Sequence, residues 1–133
     1  KSWSDGYGLF LEGESDLVLS YTTSPAYHSL VEGSSQYKSL KFKEGHASQI
    51  EVMGILNNAS NLDLARSFLE FSLTNGFQQH IPQGNWMYPV LNLKESQKEF
   101  YDAAPLPVSL DQVFPSSEEK DSWIASWEKS IIE

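Results

Sequence analysis

The chain has 133 residues, of which 40% are hydrophobic and 20% charged, a composition ordinary for one globular domain with a core of its own. Its formal net charge of -9 disfavours nucleic acid as a partner, because phosphate binding needs a basic patch. Cysteine is absent, which excludes thiolate zinc sites, disulfides and thiol nucleophiles. No apolar run approaches the roughly 18–20 residues that cross a bilayer, so we do not expect a membrane-spanning chain.

The N-terminal third has the pattern of an α/β unit. Ser4 and the residue after it predict the start of a helix that runs to about residue 12. The apolar run at residues 16–21 is typical of a strand buried in a parallel sheet. Ser24 is then predicted as the N-cap, and Pro25 as the first residue, of a second helix. A strand, a loop and a helix in this order indicate the α/β fold class.

The centre of the chain repeats this order. Residues 49–56 are predicted to form a second strand, and the polar loop at 57–61 supplies an N-cap. The helix predicted at 62–74 has the clearest helical spacing of apolar residues. We expect a shorter helix at 77–81, cut by Pro82.

The C-terminal third is predicted to be helical at residues 94–101 and again at the end of the chain. Ser116 and Glu119 have the spacing of a capping box, which predicts the start of the last helix. Trp123 and Trp127 lie four residues apart on that helix and are predicted to be core residues.

The histidines His28, His46 and His80 are the natural candidates for catalysis, but none belongs to a nucleophile motif. We therefore expect structural or surface roles for all three. The sequence contains no EF-hand loop, no H-E-x-x-H motif and no glycine-rich phosphate loop, so no metal site, cofactor or enzymatic activity is predicted.

A binding role has more support, and it comes from aromatic residues at loop positions. Tyr21 ends the first predicted strand, Tyr27 lies in the first turn of the next helix, and Trp86 stands in an irregular segment. Aromatic faces at strand ends hold flat cationic ligands by stacking and cation–π attraction. The helix start at Ser24 could offer N–H groups to an anion. Composition alone still favours the alternative that these rings pack under loops.

Three blocks of sequence carry a family resemblance. Residues 2–11, 16–28 and 81–90 resemble the thiamine-binding periplasmic protein family. The middle block reads DLVLSYTTSPAYH and the last reads IPQGNWMYPV. The resemblance extends over essentially the whole chain and corresponds to the C-terminal two fifths of a family member. Lys1 in place of an initiating Met also indicates a processed or truncated piece.

The resemblance implies a fragment of the two-lobed, type 2 periplasmic-binding fold, which is α/β. Residues 1–45 would belong to the second lobe, and residues 46–133 would return to the first lobe and end in the C-terminal helix. It also implies a periplasmic solute-binding subunit that captures thiamine and its phosphates. The partner would be the membrane permease of an ABC importer, with its ATPase.

Residue by residue, the resemblance implies ligand contacts at Trp3, Tyr21, Tyr27 and Trp86, whereas Ser24 rests on helix-cap geometry alone. The remaining contacts of the family come from sequence that precedes this chain. Two alternatives stay open: a receptor for another small cation, and a hydrolase that acts on thiamine phosphates. Because a truncated two-lobed protein exposes surface that its missing part would cover, we also expect self-association.

Overall fold

A computed structural model describes residues 2–109 and 115–132 of the chain. Within these two ranges the regular secondary structure is helical. The helices are α1 (Trp3–Leu11), α2 (Ser24–Val31), α3 (Leu62–Ser72), α4 (Asn75–Gln78), α5 (Ile81–Gly84), α6 (Lys98–Ala103) and α7 (Ser117–Ile132).

Both the first and the last helix begin with a reciprocal pair of hydrogen bonds. At α1 the backbone N–H of Ser2 donates to the Asp5 carboxylate at 2.7 Å, and the Asp5 N–H donates to the Ser2 hydroxyl at 3.2 Å. The predicted capping box at α7 is confirmed, because Ser116 and Glu119 exchange the same two bonds at 2.9 and 3.2 Å. Backbone donation from Ser116 lowers the pKa of the Glu119 carboxyl. The cap of α1 is Ser2, two residues before the predicted start.

The boundaries of α2 and α5 correct two predictions. The N-cap of α2 is Thr23, so the prediction of Ser24 as the cap is wrong by one residue, and Ser24 is the first helical residue. Pro82 does not end a helix. It lies in the first turn of α5, where the missing N–H has no helical acceptor to lose.

The two predicted strands are extended segments without a ladder. Leu19 and Val52, at their centres, are 91% and 89% exposed. In the described part of the chain, the one β-bridge joins His46 to Ser109 in parallel, with the His46 N–H donating to the Val108 carbonyl at 2.8 Å. A strand forms only where a second strand takes up its N–H and C=O groups, and these segments lack that neighbour here. The predicted sheet is therefore not formed by the described residues alone.

A small core forms where α2 packs against α6. Ala26 of α2 and Phe100 and Ala104 of the α6 region are fully buried, and Trp86 and Tyr88 pack around them. The accessible surface is 10833 Å², whereas a folded monomer of this length exposes about 7000 Å². Much apolar surface therefore remains in contact with solvent.

The C-terminal helix shows this exposure most clearly. Trp123 and Trp127 were predicted to be core residues, but they are 55% and 65% exposed, so that prediction is wrong. The apolar face exists as the spacing predicts, but the small α2–α6 core does not extend over it. In the described ranges, no helix is long and apolar enough to cross a membrane.

Candidate ligand-binding site

Trp3, at the start of α1, joins two tyrosines through ring contacts. Its ring stacks on Tyr7 one turn later, with centroids 5.0 Å apart, because side chains four residues apart share a helix face. The ring of Tyr21, at the end of the extended segment before α2, lies 6.2 Å from Trp3. Two of the predicted ligand residues are therefore neighbours.

Tyr27 and Trp86 form the second pair. Their rings meet at an interplanar angle of 82° with centroids 5.2 Å apart. The His28 ring connects this pair to the first one, since it lies parallel to Tyr7 at 5.9 Å and edge-on to Tyr27 at 5.5 Å. We call the whole series the aromatic wall: Tyr21, Trp3, Tyr7, His28, Tyr27 and Trp86.

The wall brings together all four aromatics that the sequence analysis selected. It adds Tyr7 and His28, which were not predicted as site residues. Tyr7 stands four residues after Trp3 in a helix, and this i, i+4 spacing is the signal that could have placed it beside Trp3. The position of His28 depends on contacts between distant segments, so spacing along the chain does not show it.

The outer rings of the wall are open to solvent. Trp3, Tyr21 and Tyr27 are 53%, 63% and 40% exposed. The described residues therefore leave these three rings uncovered. Contiguous exposed aromatic surface is a common property of binding sites.

Trp86 is held by an unusual backbone conformation. Its φ is 52°, in the left-handed region that costs a non-glycine residue about 1–2 kcal/mol. Neighbours on both sides tie the segment down: the Asn85 side chain donates to the Glu51 carboxylate at 3.2 Å, and the Tyr88 hydroxyl donates to the Ala104 carbonyl at 3.2 Å. These bonds and the contact with Tyr27 hold the segment that carries the Trp86 ring.

Ser24 lies at the start of α2, beside the wall. Its hydroxyl is 2.8 Å from the hydroxyl of Ser20, and its N–H donates to the Tyr21 carbonyl at 3.0 Å. The Ala26 N–H donates to the Thr23 carbonyl, and Pro25 has no N–H. These first amides of α2 and the Ser24 hydroxyl are therefore already engaged in hydrogen bonds within the chain.

The other two histidines lie apart from the ring contacts of the wall. His46 takes part in the isolated bridge, and its ring nitrogen Nε2 accepts from the Phe42 N–H at 3.3 Å. His80 is exposed at the N-cap position of α5. Over the described residues, no group of three or more histidine, aspartate or glutamate side chains has the arrangement to hold a metal ion.

Burial controls the ionisation of the inner tyrosine. It raises the pKa of the Tyr7 phenol, and the nearby Ser24 hydroxyl opposes that shift in part. The phenol is therefore protonated at neutral pH and keeps a hydrogen to donate.

Comparison with known proteins gives close relatives over nearly the whole chain. The thiamine-binding periplasmic protein of Escherichia coli K12 is 42% identical over an alignment 133 residues long that covers 98% of this chain and 40% of that protein. The thiamine-binding periplasmic protein of Brucella suis is 41% identical over an alignment 127 residues long that covers 94% of this chain and 38% of that protein. A solved structure of a periplasmic thiamin binding protein superposes with a TM-score of 0.80 at 42% identity, over 98% of this chain and 41% of that one. No family model matches the chain.

These relatives confirm the resemblance and the periplasmic location predicted from the sequence. The chain spans about two fifths of the length of the curated relatives that it matches. Over nearly its whole length, the chain is thus homologous to one portion of the thiamine-binding periplasmic proteins.

Proposed function

We propose that this chain carries one wall of the binding cleft of a periplasmic receptor that captures thiamine and its phosphates for an ABC importer. The observation that carries the proposal is the aromatic wall. Four residues selected from the sequence lie in one series of ring contacts, and three of them are exposed.

Thiamine suits such a surface because it joins a flat aminopyrimidine to a positively charged thiazolium ring. Stacking on an aromatic face is worth about 0.5–1.5 kcal/mol beyond the area buried, and a cation over a ring adds about 0.5–2 kcal/mol. The near-perpendicular rings of Tyr27 and Trp86 form a corner that holds a flat group by its face and its edge. The net charge of -9 attracts a cation to the surface in general.

We place the opposite wall of the cleft in residues outside this chain, and we keep the assignment of 1–45 and 46–133 to the two lobes of an α/β fold. Tyr27 of the first portion contacts Trp86 of the second, so both portions contribute to the proposed site. The extended segments at 16–21 and 49–56 form no β-ladder among the described residues, as expected of strands whose neighbours lie elsewhere. Those partners would come from the other three fifths of such a protein.

The function is tested by placing the chain in the E. coli relative in place of the portion that it matches. We call this protein the chimaeric receptor. Titration with thiamine should quench its tryptophan fluorescence, and thiamine phosphates should compete. Failure to bind thiamine would contradict the proposal, tighter binding of another small cation would change the ligand, and turnover of thiamine phosphates would favour the hydrolase.

We also propose that the isolated chain associates with itself. Its surface exceeds that of a folded monomer of this length by about 3800 Å², whereas a stable interface buries about 1200–2000 Å² in total. Size-exclusion chromatography with light scattering should give a mass above that of the monomer that rises with concentration. A monomer at high concentration would contradict this.

A further inference from the structure

His28 is the most buried polar residue of the aromatic wall. It is 2% exposed on the inner face of α2, next to Tyr27 in the sequence. Besides its contacts with Tyr7 and Tyr27, its ring lies 4.2 Å from the ring of Tyr37. Aromatic rings on three sides therefore enclose the imidazole.

Both nitrogens of the imidazole have partners. Nδ1 lies 2.6 Å from the Glu32 carboxylate one turn along α2, and Nε2 lies 2.7 Å from the Tyr7 hydroxyl. An ionised carboxylate only accepts, so Nδ1 carries a hydrogen towards Glu32, and Nε2 shares the second hydrogen bond with the Tyr7 hydroxyl. Rotation of the ring would break both bonds, so its orientation is fixed.

This orientation matters because of where the ring stands in the wall. On one side Tyr7 stacks on Trp3, and on the other side Tyr27 meets Trp86. A shift of the imidazole therefore moves the two pairs of ligand-facing rings relative to each other. The Glu32 side chain is 44% exposed, and it contacts the wall through its hydrogen bond with the imidazole of His28.

We propose that His28 is a positioning residue of the ligand site, and that Glu32 and Tyr7 fix its ring so that the two halves of the aromatic wall keep their spacing. The inference rests on the proposed binding of thiamine. It assigns no contact between the imidazole and the ligand.

A purely structural histidine would give a different result from a positioning one. Loss of a structural contact lowers the free energy of unfolding and leaves the affinity of the folded protein unchanged. Loss of a positioning contact lowers the affinity of protein that is still folded. The test therefore measures thiamine affinity in the chimaeric receptor at a temperature where circular dichroism shows each variant to be folded.

The key variants are Glu32→Ala, Glu32→Gln and Tyr7→Phe, with His80→Gln as the control at an exposed histidine. We expect Glu32→Ala and Tyr7→Phe each to weaken thiamine binding about five- to tenfold, the effect of one lost hydrogen bond. Glu32→Gln keeps an acceptor for Nδ1 and should restore most of the affinity. His80→Gln should bind as the unchanged receptor does.

His28→Phe keeps a flat ring but loses both hydrogen bonds, and it should weaken binding further if it folds. Near-ultraviolet circular dichroism of the chain itself gives a readout without ligand, because Glu32→Ala should alter the signal of the coupled rings and Glu32→Gln should not. Affinities of Glu32→Ala and Tyr7→Phe within twofold of the unchanged receptor would overturn the inference. An unchanged receptor that fails to bind thiamine would instead overturn the proposed function, and with it any role of His28 in binding.

Discussion

Tyr27 and Trp86 meet with their ring planes at 82° and their centroids 5.2 Å apart. Tyr27 is carried by α2 and Trp86 by the segment after α5, so the contact joins two distant parts of the chain. Trp86 also packs against the buried core at α2 and α6. The corner of the proposed site is therefore fixed by the same packing that holds these helices together.

Removal of the Trp86 ring should weaken the binding of thiamine. Trp86→Ala deletes one face of the corner and should cost about 1–3 kcal/mol, the value of one stacking partner for a cationic ring. Trp86→Phe keeps an aromatic face and should lose less. Isothermal titration of the chimaeric receptor measures both, with Trp123→Phe in α7 as the control, and equal affinities for Trp86→Ala and the control would contradict the assignment.

Local pattern predicted much of this structure, and long-range contact explains what it missed. The spacing of apolar residues predicted α3, and the Ser116–Glu119 pair predicted the start of α7, because both signals lie within one or two turns. The strands predicted at 16–21 and 49–56 do not form a ladder, because a strand depends on a partner that the described chain does not provide. The prediction of Trp127 as a core residue was wrong for the same reason. The spacing shows that one face of the helix is apolar, but it does not show what covers that face.

The candidate site also combines residues that were predicted from the sequence with residues that only long-range contacts bring to it. The family resemblance predicted four aromatic ligand residues, and the structure brings their rings into one series of contacts. They are Trp3, Tyr21, Tyr27 and Trp86. Tyr7 and His28 link them through ring contacts and a hydrogen bond between α1 and α2. The i, i+4 spacing in α1 can place Tyr7 beside Trp3, but the contact of Tyr7 with His28 depends on the packing of two helices and is not visible in the spacing of either.

The backbone at Trp86 leads to a second prediction, on stability. With φ at 52°, any residue with a Cβ is strained there and glycine is not. Trp86→Gly should therefore have a free energy of unfolding about 1 kcal/mol higher than that of Trp86→Ala, although it removes more atoms. Urea denaturation of the two variants measures the difference. A less stable glycine variant would show that the conformation is not left-handed in solution.

Alkaline pH should destabilise the chain through two partly buried tyrosine phenols. Burial raises the pKa of Tyr7 and of Tyr88, so the folded state holds these protons at pH values where the unfolded state has lost them. The contribution of these protonated phenols to the free energy of unfolding is fully present below the ordinary tyrosine pKa of about 10. It is lost as the pH rises from there through the raised pKa values. Urea midpoints measured from pH 8 to 12 should fall at the alkaline end.

Tyr7→Phe should reduce this alkaline loss, because the variant has no phenol at that position to ionise. Tyr21→Phe is the matched control, since Tyr21 is exposed and contacts the same Trp3 ring. Identical slopes of stability against pH in both variants would contradict a contribution from the partly buried Tyr7.

The capping box at the start of α7 should make the stability of that helix depend on pH in the opposite direction, with a loss in acid. Hydrogen bonds from Ser116 lower the pKa of Glu119, so the cap stabilises the helix above the ordinary carboxyl pKa. That contribution is lost as pH falls through the lowered value, because a protonated carboxyl accepts the two bonds more weakly. Far-ultraviolet circular dichroism should therefore show helix lost on acidification in the unchanged chain. Glu119→Gln, which accepts without charge, should show a smaller acid-dependent change, and Glu118→Gln, one residue earlier on the same turn, should behave as the unchanged chain does.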